Sequence, residues 1–162
     1  MIRLGYAIAT TAAVSLFGVM SVVSFAPRLI WNASASAPIG LYAIQPERFP
    51  DITDLVAIRA PEPLDSFLVE RGYIGRDVPL MKRIAALPGQ RVCRRGLAIT
   101  IDAVPMGDAL ARDRLGRPLP VWQGCRVVAE DELFVMNWRV RDSLDGRYFG
   151  PLPASAVIGR AI

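Results

Sequence analysis

One lysine, Lys82, stands among 18 arginines in a chain of 162 residues that has no histidine. Arginine keeps its proton, so Lys82 is the one side-chain amine able to serve as a base. The missing histidine removes the Ser-His-Asp and Cys-His machines, together with every histidine-bearing zinc or haem site. Lys82 lies in PLMKRIAALPGQRVC, Pro79 to Cys93, within a run that is apolar around it except for Arg83. In a strand, alternation puts Lys82 on the face of Leu80, Ile84 and Ala86, toward the core. Burial penalises the ammonium, lowers its pKa and turns the amine into a general base near neutral pH. The competing reading is a lysine that snorkels to the surface from an edge strand.

Two other segments carry hydroxyls and charges at suggestive spacing. In NASASAPIGLY, Asn32 to Tyr42, small residues surround Ser34 and Ser36, and Pro38 with Gly40 forms a turn before an apolar run. The spacing presents a hydroxyl on an unobstructed backbone beside a strand, and it also suits a plain juxtamembrane linker. In MNWRVRDSLDGRYFGPLP, Met136 to Pro153, the residues Asp142, Ser143, Asp145 and Arg147 crowd a polar loop closed by an aromatic pair and a Gly-Pro turn. Alone, that loop reads equally as a salt-bridged turn.

The elements that must position these residues follow from patterning. The chain is 52% hydrophobic and 21% charged, with a mean hydropathy of +0.33. Such a chain is too apolar for disorder and suits one domain plus an anchor. Leu4 to Pro27 carries no charge over 24 residues. As a helix it spans about 36 Å, enough for a bilayer core of about 30 Å. Its length exceeds a cleavable signal core, and Pro27 would stand directly behind a cut after Ala26, so a retained anchor over 1–27 is expected. Arg3 and Arg28 flank its two ends and leave the orientation open.

Beyond it, 28–162 contains short β-type runs: GLYAI, DLVAIRA, LMKRIAAL, LAITIDAV, CRVVA and ELFVM. Proline and glycine separate most of them, which predicts a mainly β domain. Short helical turns are expected near Pro63 to Arg71 and Met106 to Arg114. Cys93 and Cys125 form an even pair compatible with one disulfide in an oxidising compartment or with two separate thiols, and they make a poor metal site. The net charge of +4 comes from arginines scattered from Arg3 to Arg160 with acids between them. No basic stripe marks a nucleic-acid partner.

Taken together, the three segments resemble the serine-lysine signal peptidases over nearly the whole chain. KRIAALPG is similar to the family's K-R-V-x-x-L-P-G box, and SLDGRYFGPLP to its S-x-D-S-R-x-F-G-x-V-P box. Ser34-Ala-Ser36-Ala-Pro38-Ile-Gly40-Leu-Tyr42 resembles the S-x-P-x-G-L-Y form of the TraF-type peptidases of conjugative transfer systems. DRLGRPLPVWQGC also resembles that branch. The resemblance implies a signal-peptidase-like antiparallel β-sheet domain behind one N-terminal transmembrane helix. It makes Ser36 the nucleophile and Lys82 its base, and it assigns the Ser34 hydroxyl and the Ser36 backbone N–H to the oxyanion. Ser143 would orient the lysine amine, Asp145 would support that loop, and Arg147 would pair with the acid. Ala37, Gln90 and Gly146 depart from the family pattern, which more often has methionine, aspartate and serine there.

The function so implied is a membrane-anchored serine endopeptidase that cleaves, and in some TraF-type enzymes cyclises, a pilin precursor. The implied setting is the bacterial inner membrane, single-pass, with the catalytic domain in the periplasm and no cofactor or metal. The implied partners are a pilin precursor or other exported preprotein, membrane lipid and further conjugation-channel proteins. The rival readings are a general type I signal peptidase and a non-catalytic secretion-channel scaffold.

Overall fold

The computed structural model describes residues 2–22, 29–46 and 50–162. Helix α1, Ile2–Val22, opens the chain, and the side chains of Leu4 to Val19 are exposed along it. Among the described residues no helix is long and apolar enough to cross a membrane. The expected division between an anchor over 1–27 and a domain over 28–162 falls at 23–28, outside the described residues.

The rest is mainly β, in two antiparallel sheets. The larger is built from β1 (Leu29–Asn32), β2 (Gly40–Gln45), β3 (Leu55–Ile58), β4 (Leu80–Ala86), β9 (Glu132–Val135), β10 (Leu152–Pro153) and β11 (Val157–Ala161). Its strand order is β1-β2-β11-β3-β4-β9-β10. The smaller holds β5 (Arg91–Arg95), β6 (Ala98–Ile101), β7 (Val104–Asp108) and β8 (Gly124–Val127) in the order β7-β6-β5-β8. Helices are short here: α2 (Leu64–Glu70) buries Leu68, and α3 (Gly146–Phe149) follows the polar loop.

The runs expected as strands occupy β2, β3, β4, β6, β8 and β9, and the turn near Pro63 to Arg71 is α2. Met106 to Arg114 is not helical: Met106 and Asp108 belong to β7, and the chain then runs into turns. Asp102 and Ala103 both adopt positive φ, 47° and 68°, which is the backbone of a tight hairpin turn. That turn folds Val104 back onto Ile101, so ladder pairing overrides local helix propensity.

Strand β4 is the central feature. It lies between β3 and β9, with Val56 opposite Lys82 and Val135 opposite Ile84, and six of its seven residues are buried. Leu80 and Ile84 pack with Val56, Ile58, Leu68 and Leu133 on one face. Met81 packs with Ala37, Leu55 and Ala57 on the other. A register shift between Ile84 and Ala86 turns Ala85 and Ala86 into the second core, against Val92, Ile99 and Phe134 between the sheets. Lys82 therefore sits on an interior strand, which excludes the edge-strand snorkel.

Cys93 and Cys125 face each other directly across β5 and β8 and are joined as a disulfide. The bond closes a loop with a sequence separation of 32. Replacing both cysteines by alanine should therefore lower the unfolding free energy by about 3–4 kcal/mol, measured by urea denaturation. An unchanged denaturation midpoint would count against that role.

Candidate active site

A polar group can stay buried only if its hydrogen bonds are met inside the protein. Among the described residues the buried polar side chains are Asn32, Lys82, Arg94, Asn137, Ser143, Asp145 and Arg147, and no buried side-chain nitrogen or oxygen lacks a partner. All but Arg94 fall in or directly beside the three segments singled out from sequence. Arg94 supports them from β5 by donating to the Arg147 carbonyl at 2.5 Å.

The serine turn follows β1. Asn32, the last residue of β1, holds it from inside: Nδ2 donates to the carbonyls of Ser34, Ala37 and Pro38 at 2.9 to 3.0 Å. Its Oδ1 accepts from the Ser34 N–H at 3.2 Å and the Ser34 hydroxyl at 2.9 Å. Ala37 is buried in the core beside Leu55 and Met81, so the turn is pinned at both ends. Ser34 Oγ and Ser36 Oγ lie 2.9 Å apart. An amide oxygen cannot donate, so the single Ser34 proton goes to Asn32 and Ser36 is the donor to Ser34.

Lys82 is 3% exposed, and its Nζ donates to Ser143 Oγ at 3.0 Å. Burial lowers its pKa from 10.5 to about 8; Asp145 opposes the shift and Arg147 adds to it. Asp145 is fully buried and caps α3 by accepting from the Arg147 N–H at 3.2 Å. It also accepts from Arg147 Nε at 2.8 Å, from Arg147 Nη2 at 2.9 Å and from the Asn137 N–H at 3.0 Å. The remaining Arg147 donors reach the carbonyls of Val140, Arg141 and Ser143 at 2.8 to 3.0 Å. The Arg147–Asp145 pair is thus the clamp that sets the path of the loop bearing Ser143.

Ser34, Ser36, Lys82 and Ser143 line one cavity of about 750 Å³. Among the hydrogen bonds of the described residues, the serine pair and the Lys82–Ser143 pair are not joined directly: Ser36 bonds Ser34, and Lys82 bonds Ser143. The lining of the cavity also includes Tyr73, Asp113 and Arg117. The Tyr73 hydroxyl donates to Asp113 at 2.6 Å, and Arg117 Nε to the same carboxylate at 2.7 Å. The Tyr73 bond is the largest cause that holds the Asp113 carboxyl well below the usual carboxylate range. The DRLGRP segment thereby stands as a braced wall against Tyr73, which follows α2.

Two departures from the family pattern have local reasons. A Cβ on Gly146 would meet the Phe134 ring and the Val135 carbonyl oxygen, both at 2.7 Å, so serine does not fit there unless β9 moves. Gln90 accepts from the Leu87 N–H at 2.9 Å and donates to Asp102 at 2.9 Å, bracing the turn between the sheets. Sequence reading did not single out the side chains of Asn32 and Asn137. For Asn32 its place at the end of a strand before Ala-Ser-Ala was a usable signal, whereas the contacts of Asn137 are too distant in sequence to have been seen.

The buried amine links pH to stability. Between about 8 and 10.5 the unfolded lysine holds a proton that the folded one has released. The unfolded state binds more protons in that window, so stability rises with pH there. Relative to a Lys82→Met variant, the parent should gain about 3 kcal/mol of unfolding free energy across that range. A constant difference would contradict the lowered pKa.

The family model described as "Signal peptidase, peptidase S26" matches residues 1–162. A probable conjugal transfer protein TraF from Sinorhizobium fredii is 37% identical over 170 aligned residues, covering 98% of this chain and 86% of its own length. A conjugal transfer protein TraF from Agrobacterium fabrum is 36% identical and covers 80% of this chain and 78% of its own length. A crystal structure of a signal peptidase I from Enterococcus faecalis aligns with a TM-score of 0.42 at 21% identity, over 70% of this chain and 97% of that one.

Proposed function

Because the chain belongs to the signal peptidase family, peptidase S26, whose members are serine peptidases, we propose that it cleaves an exported preprotein through a Ser36 acyl-enzyme with Lys82 as general base. The observation that carries this reading is the sole lysine, buried beside Ser143 on the wall of a cavity that it shares with Ser34 and Ser36. A structural lysine has no reason to remain there in a chain that otherwise uses arginine. A base with a pKa near 8 is well matched to a serine nucleophile at cellular pH.

In the first step Ser36 turns its hydroxyl from Ser34 toward Lys82, and catalytic hydrogen bonds of this kind tighten when substrate binds. The hydroxyl proton passes to Lys82 Nζ as Oγ bonds to the scissile carbonyl carbon. The oxyanion is taken by the Ser36 backbone N–H and the Ser34 hydroxyl, whose proton leaves Asn32 Oδ1. Collapse breaks the C–N bond; the leaving amine takes the proton from Lys82, and an ester to Ser36 remains. Water then adds to the ester carbonyl, giving its proton to Lys82, and Ser36 Oγ recovers that proton as it leaves. If the amino terminus of the same substrate attacks in place of water, the product is a cyclic peptide.

The substrate is proposed to be a pilin precursor of a conjugative transfer system. Support comes from the conjugal transfer proteins of two bacteria that match most of the chain. The proposed setting is the bacterial inner membrane with the β domain in the periplasm. The uncharged stretch from Leu4 to Pro27 supports an anchor there, and the disulfide supports an oxidising compartment.

Intact-mass measurement of a conjugative pilin precursor, made in cells with the parent or with Ser36→Ala, tests the reading. A shortened product that requires Ser36 is expected, with one water less if the product is cyclic. An unprocessed precursor in both strains would overturn the pilin assignment. With purified protein, kcat/KM should rise about tenfold per pH unit below 8 and level off above it, and Ser36→Ala should cost on the order of a thousandfold or more.

A further inference from the structure

Asn137 makes more contacts to the three site segments than any role assigned to it so far explains. It follows β9, is 5% exposed, and neither takes nor gives a proton in the proposed chemistry. Its Nδ2 donates to the Ser36 carbonyl at 2.6 Å and to the Met81 carbonyl at 3.1 Å. Its Oδ1 accepts from the Arg83 N–H at 3.0 Å. Met81 and Arg83 flank Lys82, so the amide grips the lysine strand immediately on either side of the base.

The backbone explains why an amide is needed. The ladder between β9 and β4 ends with the Met136 N–H donating to the Arg83 carbonyl at 2.8 Å. Past that point the Asn137 side chain stands in for a strand: one donor and one acceptor meet the Met81 C=O and Arg83 N–H, as a backbone peptide would. The second Nδ2 hydrogen is then free to hold Ser36, which is 101 positions away in the chain. Meanwhile the Asn137 backbone N–H donates to Asp145, which carries the loop of Ser143. One residue therefore touches the nucleophile's own carbonyl, both peptide neighbours of the base and the loop that orients the base.

We infer that Asn137 is a positioning residue that sets the separation of Ser36 from Lys82, through a side-chain amide clipped to both segments. The inference rests on the Ser36–Lys82 reading of the site. Aspartate has the same shape and keeps an acceptor for the Arg83 N–H, but as a carboxylate it turns an oxygen without protons toward the carbonyls of Ser36 and Met81. Alanine removes all three side-chain bonds and leaves the backbone bond to Asp145 in place. A misplacement of about 1 Å between nucleophile and base costs on the order of a hundredfold in rate.

The experiment compares the full-length parent with Asn137→Ala, Asn137→Asp, Ser36→Ala and Lys82→Met. Activity is taken per folded molecule, with the folded fraction read by circular dichroism at the assay temperature. For Asn137→Ala, kcat is expected to fall about a hundredfold with KM within a factor of three, because Asn137 does not itself line the cavity. The rise of kcat/KM with pH should keep its midpoint near 8, since Lys82 stays buried, the main cause of its lowered pKa, and Asp145 and Arg147 still face it. Phosphonylation of Ser36 by a fluorophosphonate probe should slow in parallel. Asn137→Asp should lose kcat as well, despite its matching shape.

A folded Asn137→Ala or Asn137→Asp protein with the parent kcat would overturn the inference. So would a loss confined to KM, or one accounted for wholly by the unfolded fraction. If Ser36→Ala or Lys82→Met stays active, the underlying reading of the site falls instead, and that outcome is separate from failure at Asn137.

Discussion

A lysine amine held out of water inside a β-sheet is the constraint to which the rest of this structure answers. Burying an ammonium is costly, and the cost appears as a pKa near 8 in place of 10.5. The neighbourhood has to tolerate either protonation state. Ser143 does so because a hydroxyl can accept from an ammonium or bond to a neutral amine. Asp145 is the nearby carboxylate that steadies the charged form, and Arg147 holds Asp145 in a fully internal pair. Without that pair, a buried acid would be left uncompensated, which is strongly destabilising.

The same constraint orders the fold. β4 has to be an interior strand, because only there are both of its edges paired, by β3 and β9, while apolar clusters cover its two faces. The polar loop has to return from β9 to lie over Lys82, and Gly146 permits that return where a side chain would strike Phe134 and Val135. The serine turn comes from the other direction, out of β1, with Asn32 holding its carbonyls and Ala37 its apolar anchor. The disulfide lies in the second sheet, away from this core, and staples the strands that flank the interface between the sheets.

Much of this is legible in sequence where the signal is local. Alternation around Lys82 gives the face it shares with Leu80 and Ile84, although the register shift carries Ala86 to the second core; the short branched runs give most of the strands, and the even pair of cysteines admits the disulfide. The order of the three segments carries the family. The failures are non-local or conformational. Met106 to Arg114 looks helical by composition, but a two-residue turn with positive φ at Asp102 and Ala103 makes Met106 part of a hairpin. Strands β1, β5 and β11 show no distinct run, since their identity depends on what they pair with. The side chain of Asn137 is silent in sequence for the same reason: its partners lie 54 to 101 residues away.

The single lysine also makes the central claim open to direct observation. Protein grown with lysine labelled by 13C at Cε has one labelled side chain, so its NMR resonance reports Lys82 without assignment ambiguity. The account predicts a shift that titrates with a midpoint near 8 and moves to the ordinary range when the protein is unfolded. A midpoint near 10.5 in the folded protein would mean that the amine is solvated and charged at working pH, and it would contradict Lys82 as the base.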